Sequence, residues 1–151
     1  ILPREVPGNP ADDVQVRDLL LEGFLYNTPP AFNIYMVGKV AAWIKSEGGL
    51  AEMAKRNKKK ADRLYGVIDA SNGFYRGHAE KESRSFMNVT FRLPSEELEK
   101  TFVAEALAQG LGGVKGHRSV GGMRASIYNA MPYEGVDKLA SFMEDFQKTH
   151  A

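Results

Sequence analysis

The chain has 151 residues, of which 43% are hydrophobic, 26% charged and 10% aromatic, and 20 Lys plus Arg against 19 Asp plus Glu leave a formal charge of +1. This balance excludes a disordered charged tail, a collagen-like repeat and a coiled coil; a folded chain of this size buries roughly 68–70% of its extended surface, enough for one good core. The absence of Cys excludes a disulfide scaffold, a thiolate metal site and a cysteine nucleophile, and it suits a reducing compartment.

His78, His117 and His150 lie far apart and make no metal-ligand spacing. No window approaches the roughly 20 apolar residues of a membrane span. The leading ILPREVPGNP lacks a basic-then-apolar signal pattern and begins with Ile rather than Met, which suggests a chain cut from something longer.

Residues 1–13 carry Pro3, Pro7, Gly8, Asn9 and Pro10 and read as irregular; Val14–Phe24 is partly apolar and is not assigned to an element. Thr28-Pro29-Pro30 breaks any preceding element and pre-sets a helix start. A helix is expected from about Phe32 to Ser46, with Ile34, Val37, Ala41 and Ile44 at steps of three and four, ended by Glu47-Gly48-Gly49. Tyr35 and Trp43 on this helix read as packing residues.

A second helix is expected from Leu50 to Ile68, with Leu50, Ala54, Asn57, Ala61, Leu64 and Ile68 inward. Lys55, Arg56, Lys58, Lys59, Lys60 and Arg63 mostly fall outside that stripe, and a solvated face is the preferred reading over a nucleic-acid patch. Ser71-Asn72-Gly73 is a turn, Phe74-Tyr75 starts a short strand, and Arg76–Ser85 is loop-like.

MNVTFRL alternates, with Met87, Val89, Phe91 and Leu93 on one side, which predicts a half-buried strand. Ser95 caps a helix with acids in its first turn, Leu98, Phe102 and Ala106 inward and Gly110 at its stop. Val114-Lys115 ends a strand, GHRSVGG is a loop, and Met123–Ala130 is a strand with Arg124, Ser126 and Tyr128 on one side. Pro132 leads into a last helix near Glu134–Lys148, with Val136, Leu139, Ala140, Met143 and Phe146 inward. The expected fold class is α+β: a small antiparallel or mixed sheet with helices packed on one face.

The densest cluster of binding groups is KGHRSVGGMRAS. Two arginines and a histidine around glycines suit a doubly anionic small molecule, because guanidinium grips carboxylate or phosphate with two parallel hydrogen bonds. Glycines let backbone N–H groups approach closely. Composition alone leaves an ordinary surface loop as the commoner alternative. Asn27-Thr28 ahead of the proline-started helix is a second anion candidate, with a plain helix cap as its alternative. His78 has no convincing partner, and His150 is read as lying at a frayed chain end. No nucleophile elbow, zinc signature or GxxxxGK loop is present.

LYNTPPAFNIY, MNVTFRL and especially KGHRSVGGMRASIYNAMP resemble the phosphoserine aminotransferase family, fold type I enzymes that use pyridoxal phosphate. The resemblance runs from about Leu25 to the end. It implies a cytoplasmic homodimer acting in serine biosynthesis, passing an amino group from glutamate to 3-phosphohydroxypyruvate to give phosphoserine and 2-oxoglutarate. By the same resemblance Arg124 would grip the substrate α-carboxylate, His117 and Arg118 the substrate phosphate, and Asn27 and Thr28 the cofactor phosphate of the partner subunit.

The family's Schiff-base lysine lies upstream of these motifs, and Lys115 does not match it. The chain would therefore be the end of the large domain with its connecting helix, residues 1–49, plus the C-terminal small domain, residues 50–151, inactive alone. Two rival readings stand beside it: a non-catalytic α+β module that binds a small phosphorylated acid, and an RNA-binding sheet domain using Lys55–Arg63. Against the last, no predicted strand carries a base-stacking aromatic pair and the net charge is small.

Overall fold

The computed structural model describes residues 28–151. The irregular residues 1–13, the unassigned Val14–Phe24 and the candidate Asn27 lie outside the described residues. The chain divides into two units, Ile1–Trp43 and Ile44–Ala151. The elements are α1 (Ala31–Ser46), α2 (Gly49–Ala70), β1 (Arg76–Gly77), a 3-10 turn (Lys81–Ser83), β2 (Asn88–Arg92), α3 (Glu96–Ala108), β3 (Met123–Ser126) and α4 (Tyr133–His150).

Helix α1 starts where the prolines set it and has no buried residue. Tyr35, expected to pack, is exposed, with Lys39 Nζ 5.2 Å from its ring centre. Gly48 and Gly49 supply the positive φ of the break, at 102° and 80°.

In the second unit β1, β2 and β3 form an antiparallel sheet in chain order. Val89 and Phe91 of β2 and Met123 and Ala125 of β3 point to one face, where Leu64, Val67 and Ile68 of α2, Phe102 and Ala106 of α3, and Val136, Leu139, Met143 and Phe146 of α4 complete the core. Phe102 stands at its centre, 5.8 Å from Phe91, 5.0 Å from Phe142 and 5.1 Å from Phe146 between ring centres, in edge-on contacts that suit aromatic quadrupoles. The α+β expectation of helices on one face of a small sheet describes this layer.

Several details differ from the expectation. The strand expected from Met123 to Ala130 stops at Ser126, and the short strand expected to start at Phe74-Tyr75 is Arg76–Gly77, within the stretch read as loop. Leu50 and Ala54 are exposed, and the inner stripe of α2 begins at Met53. Lys60, assigned to the solvated face, is buried. The strand expected at Val114-Lys115 is a single bridge between Lys115 and Met123. His150 is held inside α4, with Nε2 3.3 Å from Glu105 and its ring 4.2 Å from that of Phe146.

The burial of Lys60 has a direct cause. Its ammonium donates to the carbonyls of Ile127, Tyr128 and Met131 at 3.2, 2.7 and 3.1 Å, so three donors meet three acceptors. Asn57, one turn earlier, donates to Asn129 Oδ1 at 2.7 Å. Together they pin the connection from β3 to α4 against α2.

Candidate anion site

The other face of the sheet is polar. It carries Asn88, Thr90 and Arg92 from β2 and Arg124 and Ser126 from β3, all half-buried, with Thr90 directly opposite Arg124 and Asn88 opposite Ser126. Strand alternation places them there: each neighbour in the chain is a core residue. Asn88 Oδ1 accepts from Ser126 Oγ at 3.2 Å and Tyr128 Oη at 3.4 Å.

Between α3 and β3 the chain makes the loop that carries His117 and Arg118. The Gly116 amide donates to the Gly122 carbonyl at 2.7 Å, and the Val120 and Gly121 amides both donate to the His117 carbonyl, at 3.0 and 2.8 Å. Gly121 and Gly122 have φ of +74° and +67°, a conformation that side-chain-bearing residues rarely adopt. A Cβ at Gly116 would overlap the Gly121 carbonyl oxygen, and one at Gly122 would overlap Arg92 Cδ. The glycines thus allow the loop to close on itself and to lie flat against β2, leaving His117, Arg118 and Ser119 at its tip.

This tip borders a cleft of about 610 Å³ whose opposite wall is Arg92 of β2 and Glu96, Glu99, Lys100 and Val103 of α3. Four cations, Arg92, Lys100, Lys115 and Arg118, face two carboxylates, Glu96 and Glu99, so the cleft carries a positive surplus even with His117 neutral. Arg92 Nε donates to Glu99 Oε1 at 2.5 Å, which cancels one charge of each sign. Among the described residues neither His117 nor Arg118 is bonded to an acidic side chain.

His117 is oriented by its neighbour. Its Nδ1 lies 2.7 Å from Ser119 Oγ and accepts the Ser119 amide at 3.3 Å. A neutral imidazole that accepts at Nδ1 carries its proton on Nε2, and that N–H is then available to an anion in the cleft.

The cleft brings His117 and Arg118 together but does not include Arg124. Arg124 borders a separate depression of about 260 Å³, shared with Leu111, Ile127, Val136 and Leu139 among others. Its Nε is buried without a hydrogen-bond partner, an unusual state for a guanidinium nitrogen and one that a bound oxyanion would satisfy. Thr28 is exposed just ahead of α1, and its hydroxyl has no partner among the described residues. The donor set of a hydroxyl before a helix N-terminus suits a phosphate.

Sequence reasoning missed Arg92 and Glu99 as cleft residues. Arg92 was legible only as an outward position of a strand, and Glu99 only as an acid in the first turn of a helix. Among the described residues no group of three or more His, Cys, Asp or Glu could hold a metal ion, and no helix is long and apolar enough to cross a membrane.

The small antiparallel sheet, helices α2 and α3 on one face of it and the arginine-bearing glycine loop lie within residues 12–139, which the family model for class-V aminotransferases matches. The chain belongs to that family. Its relatives narrow the comparison. It is 65% identical over 122 residues to the phosphoserine aminotransferase of Herpetosiphon aurantiacus, a match covering 81% of this chain and 34% of that protein. Its fold superposes on phosphoserine aminotransferase from Bacillus circulans subsp. alkalophilus with a TM-score of 0.78 at 53% identity, over 89% of this chain and 37% of that one. For phosphoserine aminotransferase with bound PLP from Trichomonas vaginalis the TM-score is 0.72 at 40% identity, over 85% and 37%. The chain spans about a third of the length of the curated relatives it matches.

Proposed function

We propose that the chain is the C-terminal part of a phosphoserine aminotransferase, which moves an amino group between glutamate and 3-phosphohydroxypyruvate to give phosphoserine and 2-oxoglutarate. The enzyme would act as a cytoplasmic homodimer in serine biosynthesis. Residues 1–49 would close the large domain and residues 50–151 would form the small domain. The observation that carries this reading is the cationic cleft beneath the His117–Arg118 tip, with neither side chain tied to a carboxylate among the described residues.

His117 and Arg118 hold the substrate phosphate in this reading, the ring N–H and the guanidinium fork supplying donors to its oxygens. Arg124 holds the α-carboxylate at the other end. Two anchors on one small molecule fix its reactive bond in one orientation, which is the contribution this part of the enzyme makes to rate. Asn27 and Thr28 hold the phosphate of pyridoxal phosphate in the partner subunit. When bound, that cofactor supplies the electron sink for amino transfer. The lysine that holds the cofactor lies outside this chain.

The test is steady-state kinetics on the intact enzyme with His117→Ala. The expected result is a KM for the phosphorylated oxo-acid raised by about tenfold, the worth of one charge-assisted hydrogen bond, with an unphosphorylated oxo-acid little affected. Equal losses on both substrates would remove the phosphate assignment.

A further inference from the structure

The loop that carries His117 and Arg118 does not hold its place by its own bonds alone. Arg92 Nη1 donates to the Val120 carbonyl at 3.2 Å, while its Nε is fixed by Glu99 at 2.5 Å. Glu99 is nearly buried in the first turn of α3, and its carboxylate also accepts the Leu93 amide at 3.4 Å. A carboxylate held by a backbone amide and a guanidinium is a rigid mount. The guanidinium that it orients is planar, so fixing Nε also fixes the direction of Nη1.

The backbone contacts point the same way. Gly121 and Gly122 lie directly against the Arg92 side chain: an added Cβ at Gly121 would stand 3.4 Å from Nη1, and one at Gly122 3.2 Å from Nε. Two consecutive glycines in left-handed backbone let the loop settle on the guanidinium. We infer that Arg92, oriented by Glu99, is a positioning residue that sets the height of the His117–Arg118 tip above the cleft and so sets the preference for a phosphorylated substrate. The inference rests on the phosphate reading of the tip.

Arg92 stands one residue outside the core pair Phe91 and Met123, so its own position is set by the ladder. The loop is tied only at its base, where the Lys115 bridge is flanked by the Gly116 amide on Gly122 and the Arg124 amide on Val114; beyond that base no strand pairing holds it. Loss of the Val120 bond therefore acts on the loop before it acts on the sheet. A tip displaced by a fraction of an ångström would misplace both the Arg118 fork and the His117 Nε2–H.

The experiment uses the full-length enzyme with Arg92→Gln, which keeps a donor for Glu99 but is too short to reach Val120. Arg92→Lys serves as the restoring variant and Arg118→Ala as the control. Two measurements are made: KM for a phosphorylated and an unphosphorylated oxo-acid, and amide hydrogen exchange over residues 116–122. The expected result for Arg92→Gln is about a tenfold rise in KM for the phosphorylated acid alone, faster exchange in 116–122, and partial recovery of both with Arg92→Lys.

Exchange in 116–122 unchanged by Arg92→Gln overturns the inference, whatever the control does. Faster exchange with the phosphate preference kept by Arg92→Gln but lost by Arg118→Ala also overturns it, and leaves the phosphate reading standing. If Arg118→Ala keeps the preference too, the phosphate reading fails and the role of Arg92 in substrate choice falls with it.

Discussion

Arg124 and Arg118 have the same side chain in two different settings. Arg118 stands exposed at a loop tip, where any anion in the cleft can reach it. Arg124 is rooted in a strand opposite Thr90, with its Nε out of solvent and unbonded. A buried donor left open costs stability on the order of 1–3 kcal/mol, and a ligand oxygen would remove that cost. Arg124→Lys should therefore raise the KM for the acid substrate by about tenfold in the intact enzyme, because a point charge cannot reproduce the two-pronged grip. Thermal stability should not fall, since no partner among the described residues is lost and the open Nε donor goes with the substitution. Unchanged kinetics would take the carboxylate role away from Arg124. The residue type and its place beside a glycine loop were legible in the sequence. Its separation from the His117–Arg118 cleft was not, because that depends on which side of the ladder the loop folds over.

Helix α2 shows what an element adds to its residues. The run Lys58-Lys59-Lys60 reads as one solvated patch, yet its members do different work. Lys58 pairs with Asp62 on the helix surface at 2.6 Å, Lys59 sits 4.1 Å from the Tyr133 ring centre, and Lys60 is buried. Nothing local marks Lys60, since its acceptors lie in the connection to α4, far away in sequence. The Ser95 cap, by contrast, was legible because its partner, the Leu98 amide at 3.3 Å, is three residues away. Lys60→Met should lower stability by about 3 kcal/mol, the cost of leaving three carbonyls without a donor, read as a fall in unfolding midpoint. A wild-type midpoint would mean that water serves those carbonyls equally well.

The far end of α2 carries a pH-dependent tie. Arg84 donates to both oxygens of Asp69, at 2.8 and 2.6 Å, and Lys81 adds a contact at 3.6 Å. The Arg84 hydrogen bonds hold the Asp69 carboxyl below its ordinary value, against some burial, with Arg84 and Lys81 charges adding to the effect. A depressed folded-state pKa binds fewer protons than the unfolded chain does, so the stabilisation is full above about pH 4 and fades as pH falls through the folded value. Denaturant midpoints measured from pH 5 downward should fall less steeply for Arg84→Gln than for the wild type. Parallel acid limbs would show that this pair contributes nothing, as many exposed pairs do.

At the scale of the whole molecule, the proposed function requires a lysine that bonds the cofactor covalently, and the geometry of this chain speaks for its own lysines. A lysine that forms a covalent bond to an aldehyde needs an uncharged amine and an unobstructed approach. Burial does push Lys60 below its ordinary value, but its nitrogen is surrounded by three carbonyls. Lys115 is exposed beside the loop, among the cleft side chains and outside the family motif that holds the cofactor. Borohydride reduction of the 151-residue chain with pyridoxal phosphate should therefore give scattered, substoichiometric labelling, and amino transfer by this chain alone should be absent. The full-length enzyme should give one stoichiometric adduct at a lysine outside these residues, located by peptide mass. A single stoichiometric adduct on Lys115 would place the chemistry inside this chain and overturn its assignment to the substrate-gripping part.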